Sequence, residues 1–315
     1  MPLSKPAPKR VTMEIQSRIL ILLILLSGCA QQDPNSTTTP APIVGSELDD
    51  PAWTEALIEH RKELDEEFRT STSPMAGTQY LKSEPADRVY LTRQDRSFGL
   101  DYSDVPAAEL VVTREASTWH WDDLGGDVVG QIDDEQVATG SVLDGAATFV
   151  VAGLHLSFYP SEDRVTFIVF DPERPEKKSF EHLLYYPPDR GYAVRAQLIK
   201  LPEPDEVEML TSRGLKKTFY RYATIRFQRD GEDQELTAFK STLTGEGSGS
   251  LFIPFRDSTT GRETYGAGRF LDIDEPQAEH FVLDFNRAYN PLCNYSPAFN
   301  CPIPPRENHL DVAIR

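Results

Sequence analysis

The hydrophobic positions of this chain change their period once. From Pro51, the apolar residues Trp53, Leu57, Leu64 and Phe68 recur at offsets of four, seven and four, which puts them on one face of a helix. Pro51 suits a first helical turn and Asp50 can cap it, so the stripe predicts a helix docked on a core by that face. From residue 73 onward, short apolar runs and strict alternation replace the helical period. GAATFVVAGLHLSFYP (145–160) and RVTFIVFDP (164–172) read as buried or half-buried strands. In YATIRFQRDGEDQELTAF (222–239), Ile225 and Phe227 alternate with polar residues, Asp230-Gly231 marks a turn, and Leu236 and Ala238 resume the alternation. That is a β-hairpin. Further strands are predicted at 250–255, 268–273, 281–285 and 310–314.

The rigid turn YYPPDRGY (185–192) divides the folded part into a helix-plus-β half, 48–190, and a C-terminal β half, 191–315. The predicted class is mainly β: antiparallel sandwich or barrel-like sheets with one N-terminal helix. No internal repeat is visible.

Composition changes this picture at the N-terminus. Lys5, Lys9, Arg10 and Arg18 surround or precede the apolar run ILILLILL (19–26), and Leu26-Ser27-Gly28-Cys29 follows it. The run is too short to span a bilayer permanently and reads as the core of a signal peptide, residues 1–28. Small residues ahead of a cysteine resemble the bacterial lipobox, which implies lipidation of Cys29 as the mature N-terminus. Residues 29–47, polar and rich in Pro and Thr, then form a flexible tether. The expected partner is therefore a membrane, reached through a lipid anchor. In a cell with two membranes, Ala30 rather than Asp after the cysteine points to the outer one.

The formal charge is −18, and −21 once residues 1–28, with four positive charges and one negative, are removed. A phosphate-reading surface needs a basic stripe, and none is present, so nucleic acid is excluded as a partner.

Candidate chemistry gathers toward the C-terminus. Trp119 and Trp121 share one face of a strand, which fits either core packing or a sugar-stacking platform. The six histidines never pair at i, i+2 or i, i+4, so neither a metal nor a cofactor is expected. In FRDSTTGRETYGAGRF (255–270), Asp257 can accept from backbone amides ahead of it. Arg262, Glu263, Thr264, Tyr265 and Arg269 make a donor-rich set that suits an anion or a carbonyl. Gly266-x-Gly268 lacks a following lysine and supports no phosphate cradle. In DFNRAYNPLC (284–293), Asp284 and Asn286 share a face, a pairing that commonly ties loops together. No G-x-S-x-G occurs.

With Cys29 lipidated, Cys293 and Cys301 remain, eight positions apart. In an oxidising compartment they are expected to form a disulfide, stabilising the fold by about 2.5 kcal/mol on the chain-entropy estimate. The alternatives are metal thiolates, for which only His309 and Glu307 lie near in sequence, a nucleophilic thiol with its pKa lowered by a partner, or two inert thiols.

FIPFRDSTTGRETYGAGRFLDI (252–273) and VLDFNRAYNPLCNYSPAFNCPIPPRENHLDVAI (282–314) resemble the bacterial domain-of-unknown-function 1684 family. The likeness is close over 250–315 and looser from about residue 48. The family has no established activity, so the resemblance implies where to look rather than what is done. It singles out Asp257, Thr259, Gly261, Glu263, Thr264, Tyr265, Gly268, Arg269, Asp284, Asn286, Tyr289, Asn290, Cys293, Cys301, Glu307 and Asn308. The expectation is an envelope lipoprotein that binds a small polar or anionic ligand, or a partner, at this C-terminal site. The competing expectations are a hydrolase or transferase using Cys293, Asp284, Tyr265 and Arg269, and an assembly component recognised through its N-terminal helix.

Overall fold

The computed structural model describes residues 51–315 apart from Asp104, Val105 and Glu246. The expected signal peptide, the lipidated Cys29, the tether and the capping Asp50 all lie outside the described residues.

Helix α1, Pro51–Glu67, is followed by eleven strands: β1 Gly77–Lys82, β2 Arg88–Gln94, β3 Ser97–Asp101, β4 Ala108–Glu115, β5 Thr118–Asp123, β6 Val129–Ile132, β7 Glu135–Val137, β8 Val142–Leu143, β9 Ala147–Val151, β10 Leu154–Pro160 and β11 Val165–Phe170. A single turn, α2 (Pro175–Lys178), precedes β12 Ala193–Leu210, β13 Lys216–Arg229, β14 Glu232–Lys240, β15 Ser250–Phe255, β16 Arg269–Asp274 and β17 His280–Asp284.

The first eleven strands form two antiparallel sheets, ordered β1-β11-β10-β9-β6-β7 and β3-β2-β4-β5-β8. Their inner faces meet in one core, with Leu91, Val112, Trp119 and Trp121 from the second sheet against Phe149, Leu156, Phe158 and Phe167 from the first. The Trp121 and Phe149 rings lie 5.2 Å apart, and Trp119 donates its indole N–H to the Ser161 carbonyl at 3.1 Å. The tryptophan pair is thus core packing, not a sugar platform.

The C-terminal sheet runs β16-β15-β14-β13-β12-β17, also antiparallel. All six strands contribute to one cluster that includes Leu198, Ile225, Leu236, Ile253, Leu271 and Leu283, so the sheet curls into a half-barrel around it. The predicted hairpin is β13–β14; Asp230 and Gly231 both have positive φ, 54° and 82°, as a tight two-residue hairpin turn requires.

One expectation needs correction. Residues 310–314 are not a strand, although Leu310 and Ile314 are buried in the half-barrel core as their pattern implies. The segment is held at single points: Leu310 N–H donates to the Arg256 carbonyl (2.8 Å), and Ser258 N–H to the Val312 carbonyl (3.1 Å). Ile314 N–H donates to the Asp257 carboxylate (2.7 Å), and a side-chain acceptor there replaces the backbone partner that a ladder would need.

Helix α1 docks by the predicted face. It precedes the N-terminal sheets in sequence and packs both on the 180–186 segment, where Arg61 donates to the Tyr186 carbonyl at 3.0 Å, and on the end of β17. Leu57 is fully buried, Trp53 donates to Asp284 Oδ2 at 2.8 Å, and Phe68 meets the Tyr295 ring edge-on at 4.7 Å.

Candidate functional site

The motif residues do not converge on one centre. They separate into small groups, most of them closed on themselves.

The first group is built by the turn after β15. The Asp257 carboxylate has no solvent-exposed side-chain surface, and it accepts from the hydroxyls of Thr259 (2.8 and 2.9 Å) and Thr260 (3.0 Å). It also accepts from Arg269 Nη2 (3.2 Å) and the Ile314 amide (2.7 Å). Thr264 meets the Thr259 hydroxyl at 3.0 Å, and Arg269 Nη2 also donates to the Ile314 carbonyl at 2.7 Å. Gly268 makes this closure possible: its φ is +101°, and a β-carbon there would lie 2.6 Å from the Phe255 carbonyl. Of the donors expected to receive an external anion, Arg269 is therefore engaged by an internal one, Asp257, and Thr264 by the Thr259 hydroxyl. Glu263 is likewise paired, with Arg315 at 2.8 Å.

The second group ties the 185–192 turn to the end of β17. Asp284 Oδ1 accepts from the Asn286 amide (3.0 Å) and its Nδ2 (2.8 Å). Asn286 exchanges two hydrogen bonds of 2.9 Å with the Asp189 backbone. This is the loop-tying role expected for the pair. His60 of α1 stands beside it, its pKa lowered to about 4 by burial and then by the charges of Arg287 and Arg61.

Asn308 is fully buried and stitches 306–308 to two strands; it donates to the carbonyls of Thr237 (2.8 Å) and Pro254 (2.7 Å) and accepts from Thr237 N–H (2.7 Å). Glu307 pairs with Arg221 at 2.8 Å, the Tyr289 hydroxyl donates to Asp272, and Asn290 hydrogen-bonds Tyr295.

The third group contains the cysteines. Cys293 and Cys301 are free thiols, so the expected bridge is not formed; instead the Cys293 amide donates to Cys301 Sγ at 3.2 Å. The Tyr265 hydroxyl lies 3.8 Å from Cys293 Sγ, and Ser212 Oγ accepts from the Cys301 amide at 3.2 Å. A hydrogen bond from the Cys301 thiol, helped by Tyr265 and Ser212 and opposed by burial, lowers the Cys293 pKa to about 6. The same thiol–thiol bond, with burial, pushes Cys301 upward, and burial with the neighbouring thiol raises Tyr265 to about 12. Of the four residues proposed for a hydrolase, Tyr265 and Cys293 thus meet, while Asp284 and Arg269 are engaged elsewhere. Among the described residues, no group of three or more His, Cys, Asp or Glu side chains is arranged to hold a metal.

Two shallow grooves open on the half-barrel. One, of about 300 Å³, is lined by Arg256, Asp257, Ser258, Thr260, His309, Leu310 and Asp311. Its walls are held together by Arg256 N–H donating to the Asn308 carbonyl (2.9 Å) and Leu310 N–H to the Arg256 carbonyl. Arg256 forms no ion pair among the described residues, and its Nε reaches only the Ala267 carbonyl, at 3.4 Å. Arg256 is not among the positions the resemblance singles out because it sits beside them, and the sequence offers His309 only as a possible metal ligand.

The other groove, of about 420 Å³, is lined by residues 197–200 and 276–279. It adjoins a polar network that the sequence reading also missed. Glu275 accepts from Lys240 Nζ (2.5 Å), from the Tyr222 hydroxyl (2.7 Å) and from Lys200. Lys240 continues the inward series Leu236, Ala238, and that alternation was the available signal. Burial alone would raise the Glu275 carboxyl, but the hydrogen bonds from Lys200, Lys240 and Tyr222 outweigh it and bring the pKa from 4.5 to about 2. A carboxyl depressed by folding stabilises the native state fully above its unfolded value. That contribution, of order 3 kcal/mol, is lost as pH falls from about 4.5 through about 2. Glu275→Gln should accordingly flatten the pH dependence of urea unfolding between about pH 5 and pH 2.5; an unchanged slope would contradict the network's role.

The family model described as "Protein of unknown function (DUF1684)" matches residues 178–315 of this chain. Among solved structures, the chain is similar to the solution NMR structure of an uncharacterized protein from gene locus rrnAC0354 of Haloarcula marismortui. The two are 37% identical, the match covers 46% of this chain and 80% of that one, and the TM-score is 0.39. No curated protein matches.

Proposed function

The chain belongs to DUF1684, a family of proteins of unknown function, and on that premise we propose that it is an exported, lipid-anchored envelope protein whose C-terminal module binds a small oxyanion in the Arg256–His309 groove. One observation carries the site. Arg269, Arg315 and Arg221 each face a carboxylate of the protein, whereas Arg256 lines an open groove and makes no ion pair among the described residues. A guanidinium presents its N–H groups in a planar fork that matches carboxylate or phosphate oxygens. The exposed Ser258 adds a hydroxyl, and Asp311, which also lines the groove, favours a ligand with a donor besides its acid group, such as a hydroxy acid. The lipid anchor rests on the LSGC sequence and the polar segment after it.

A thermal-shift screen with inorganic phosphate and small hydroxycarboxylates should give at least one rise in melting temperature, and Arg256→Ala should remove it while leaving the unliganded melting temperature nearly unchanged. An equal rise in the variant, or no rise with any probe, would overturn the groove reading. Cys29→Ser should move the expressed protein from the membrane to the soluble fraction, and an unchanged distribution would sink the anchor.

A further inference from the structure

We propose that Cys293 and Cys301 form a reversible dithiol–disulfide pair whose oxidation state sets how tightly the 293–301 loop clasps the N-terminal sheets to the C-terminal half-barrel. The site is separate from the Arg256 groove and does not depend on it.

The loop is the joint between the two halves. Tyr295 packs edge-on against Phe68 at the end of α1, and the Ser296 hydroxyl donates to the Gly77 carbonyl of β1 at 2.7 Å. Arg213, in the β12–β13 turn, donates to the Pro297 carbonyl at 2.5 Å. Phe299 meets Phe170 of β11 with ring centroids 6.2 Å apart. Loop and sheet approach so closely that a β-carbon at Gly77 would lie 3.0–3.2 Å from Phe299, Ser296 and Ala298. Ala76 and Phe170 from one half share an apolar cluster with Phe270, Ala298, Phe299 and Cys301 from the other. The two cysteines terminate this loop and already touch through the Cys293 amide, so a covalent link between them would fix both ends of the clasp.

Exposure assigns the roles. Cys293 is half-buried beside the Tyr265 hydroxyl, while Cys301 is only 8% exposed. Cys293, as thiolate, attacks a small-molecule disulfide RSSR, forming a mixed disulfide and releasing RS⁻, which takes up the proton Cys293 lost. The Cys301 thiolate then attacks the Cys293 sulfur and releases the second RS⁻, which takes up the Cys301 proton. The protein dithiol gives up two electrons and two protons, and RSSR becomes two RSH.

The test uses the full chain with Cys29→Ser, leaving two thiols. Titration with glutathione disulfide, followed by alkylation and mass spectrometry, should show the 293–301 bridge forming and reversing with glutathione. Adding Cys301→Ser should halt the reaction at a mixed disulfide on Cys293; adding Cys293→Ser instead should slow the remaining thiol by about tenfold or more. In the unsubstituted pair, brief alkylation should label Cys293 first, a readout that survives if the serine variants fold poorly. Hydrogen exchange at residues 76–80 and 168–170 should slow several-fold on oxidation. The proposal fails if no bridge forms, if Cys301 reacts as fast as Cys293, or if the oxidised and reduced chains exchange equally at those residues.

Discussion

Arg269→Ala should lower folding stability by about 3–5 kcal/mol, seen as a large fall in the urea midpoint. The magnitude follows from what is left behind. Asp257 is fully enclosed, and its carboxylate would lose its one cationic partner in a medium that solvates charge poorly. The hydroxyls of Thr259 and Thr260 and the Ile314 amide would still donate to it, which caps the loss short of an orphaned charge. The Ile314 carbonyl, however, would lose its guanidinium donor as well, loosening the segment that brings Leu310 and Ile314 into the half-barrel core. Breaking a buried pair from one side is worse than removing both partners. The double variant Asp257→Asn with Arg269→Met should therefore be more stable than Arg269→Ala alone. A loss within about 0.5 kcal/mol for Arg269→Ala would mean that the pair does not hold the fold.

Asn308→Ala should be the second large effect, about 3 kcal/mol. One carboxamide satisfies three buried backbone groups: the Thr237 amide and the carbonyls of Thr237 and Pro254. Alanine leaves all three without a partner in a site with no exposed surface. Asn308→Asp should be worse still at neutral pH, since a carboxylate cannot donate and would face two carbonyl oxygens. The aspartate variant should therefore regain stability as pH falls and the carboxyl protonates, a direction the alanine variant would not share. Equal urea midpoints for wild type and Asn308→Ala would refute this reading.

Local periodicity made much of this molecule legible. The four-seven-four stripe announced α1, alternation around Asp230-Gly231 announced the β13–β14 hairpin, and the apolar runs between 145 and 172 announced β9 to β11. Each signal depends on neighbours within a few positions, where side-chain direction follows from backbone repeat.

What was not legible depends on distant partners. Asp257 reads in sequence as a turn residue beside a donor-rich loop, and nothing local shows that Ile314, 57 positions later, will come to its carboxylate. Trp53 reads as a docking residue, but its partner Asp284 is 231 positions away, across the N-terminal sheets. Residues 310–314 carry a strand's alternation yet find side-chain and isolated backbone partners instead of a ladder. The same logic applies to CNYSPAFNC (293–301). Its cysteines drew attention, but its larger role, joining two halves through Ser296 and Phe299, is set by Gly77 and Phe170.

The site inverts the expectation from chemistry-bearing residue types. Asp257, Thr259, Arg269, Asp284, Asn286 and Asn308 are among the polar positions that the family resemblance singles out, and each has internal partners that account for it. Arg256, one position before the first of them, lines the groove of about 300 Å³ and makes no ion pair among the described residues.

The central claim is that this scaffold presents Arg256 to an oxyanion. Isothermal titration of the wild-type chain with inorganic phosphate and with malate, repeated on Arg256→Ala, tests it most directly. At least one probe should bind the wild type saturably and bind the variant more weakly, by about tenfold or more, as loss of a charge-assisted hydrogen bond requires. Equal affinity in the two proteins, or no binding of either probe by the wild type, would contradict it.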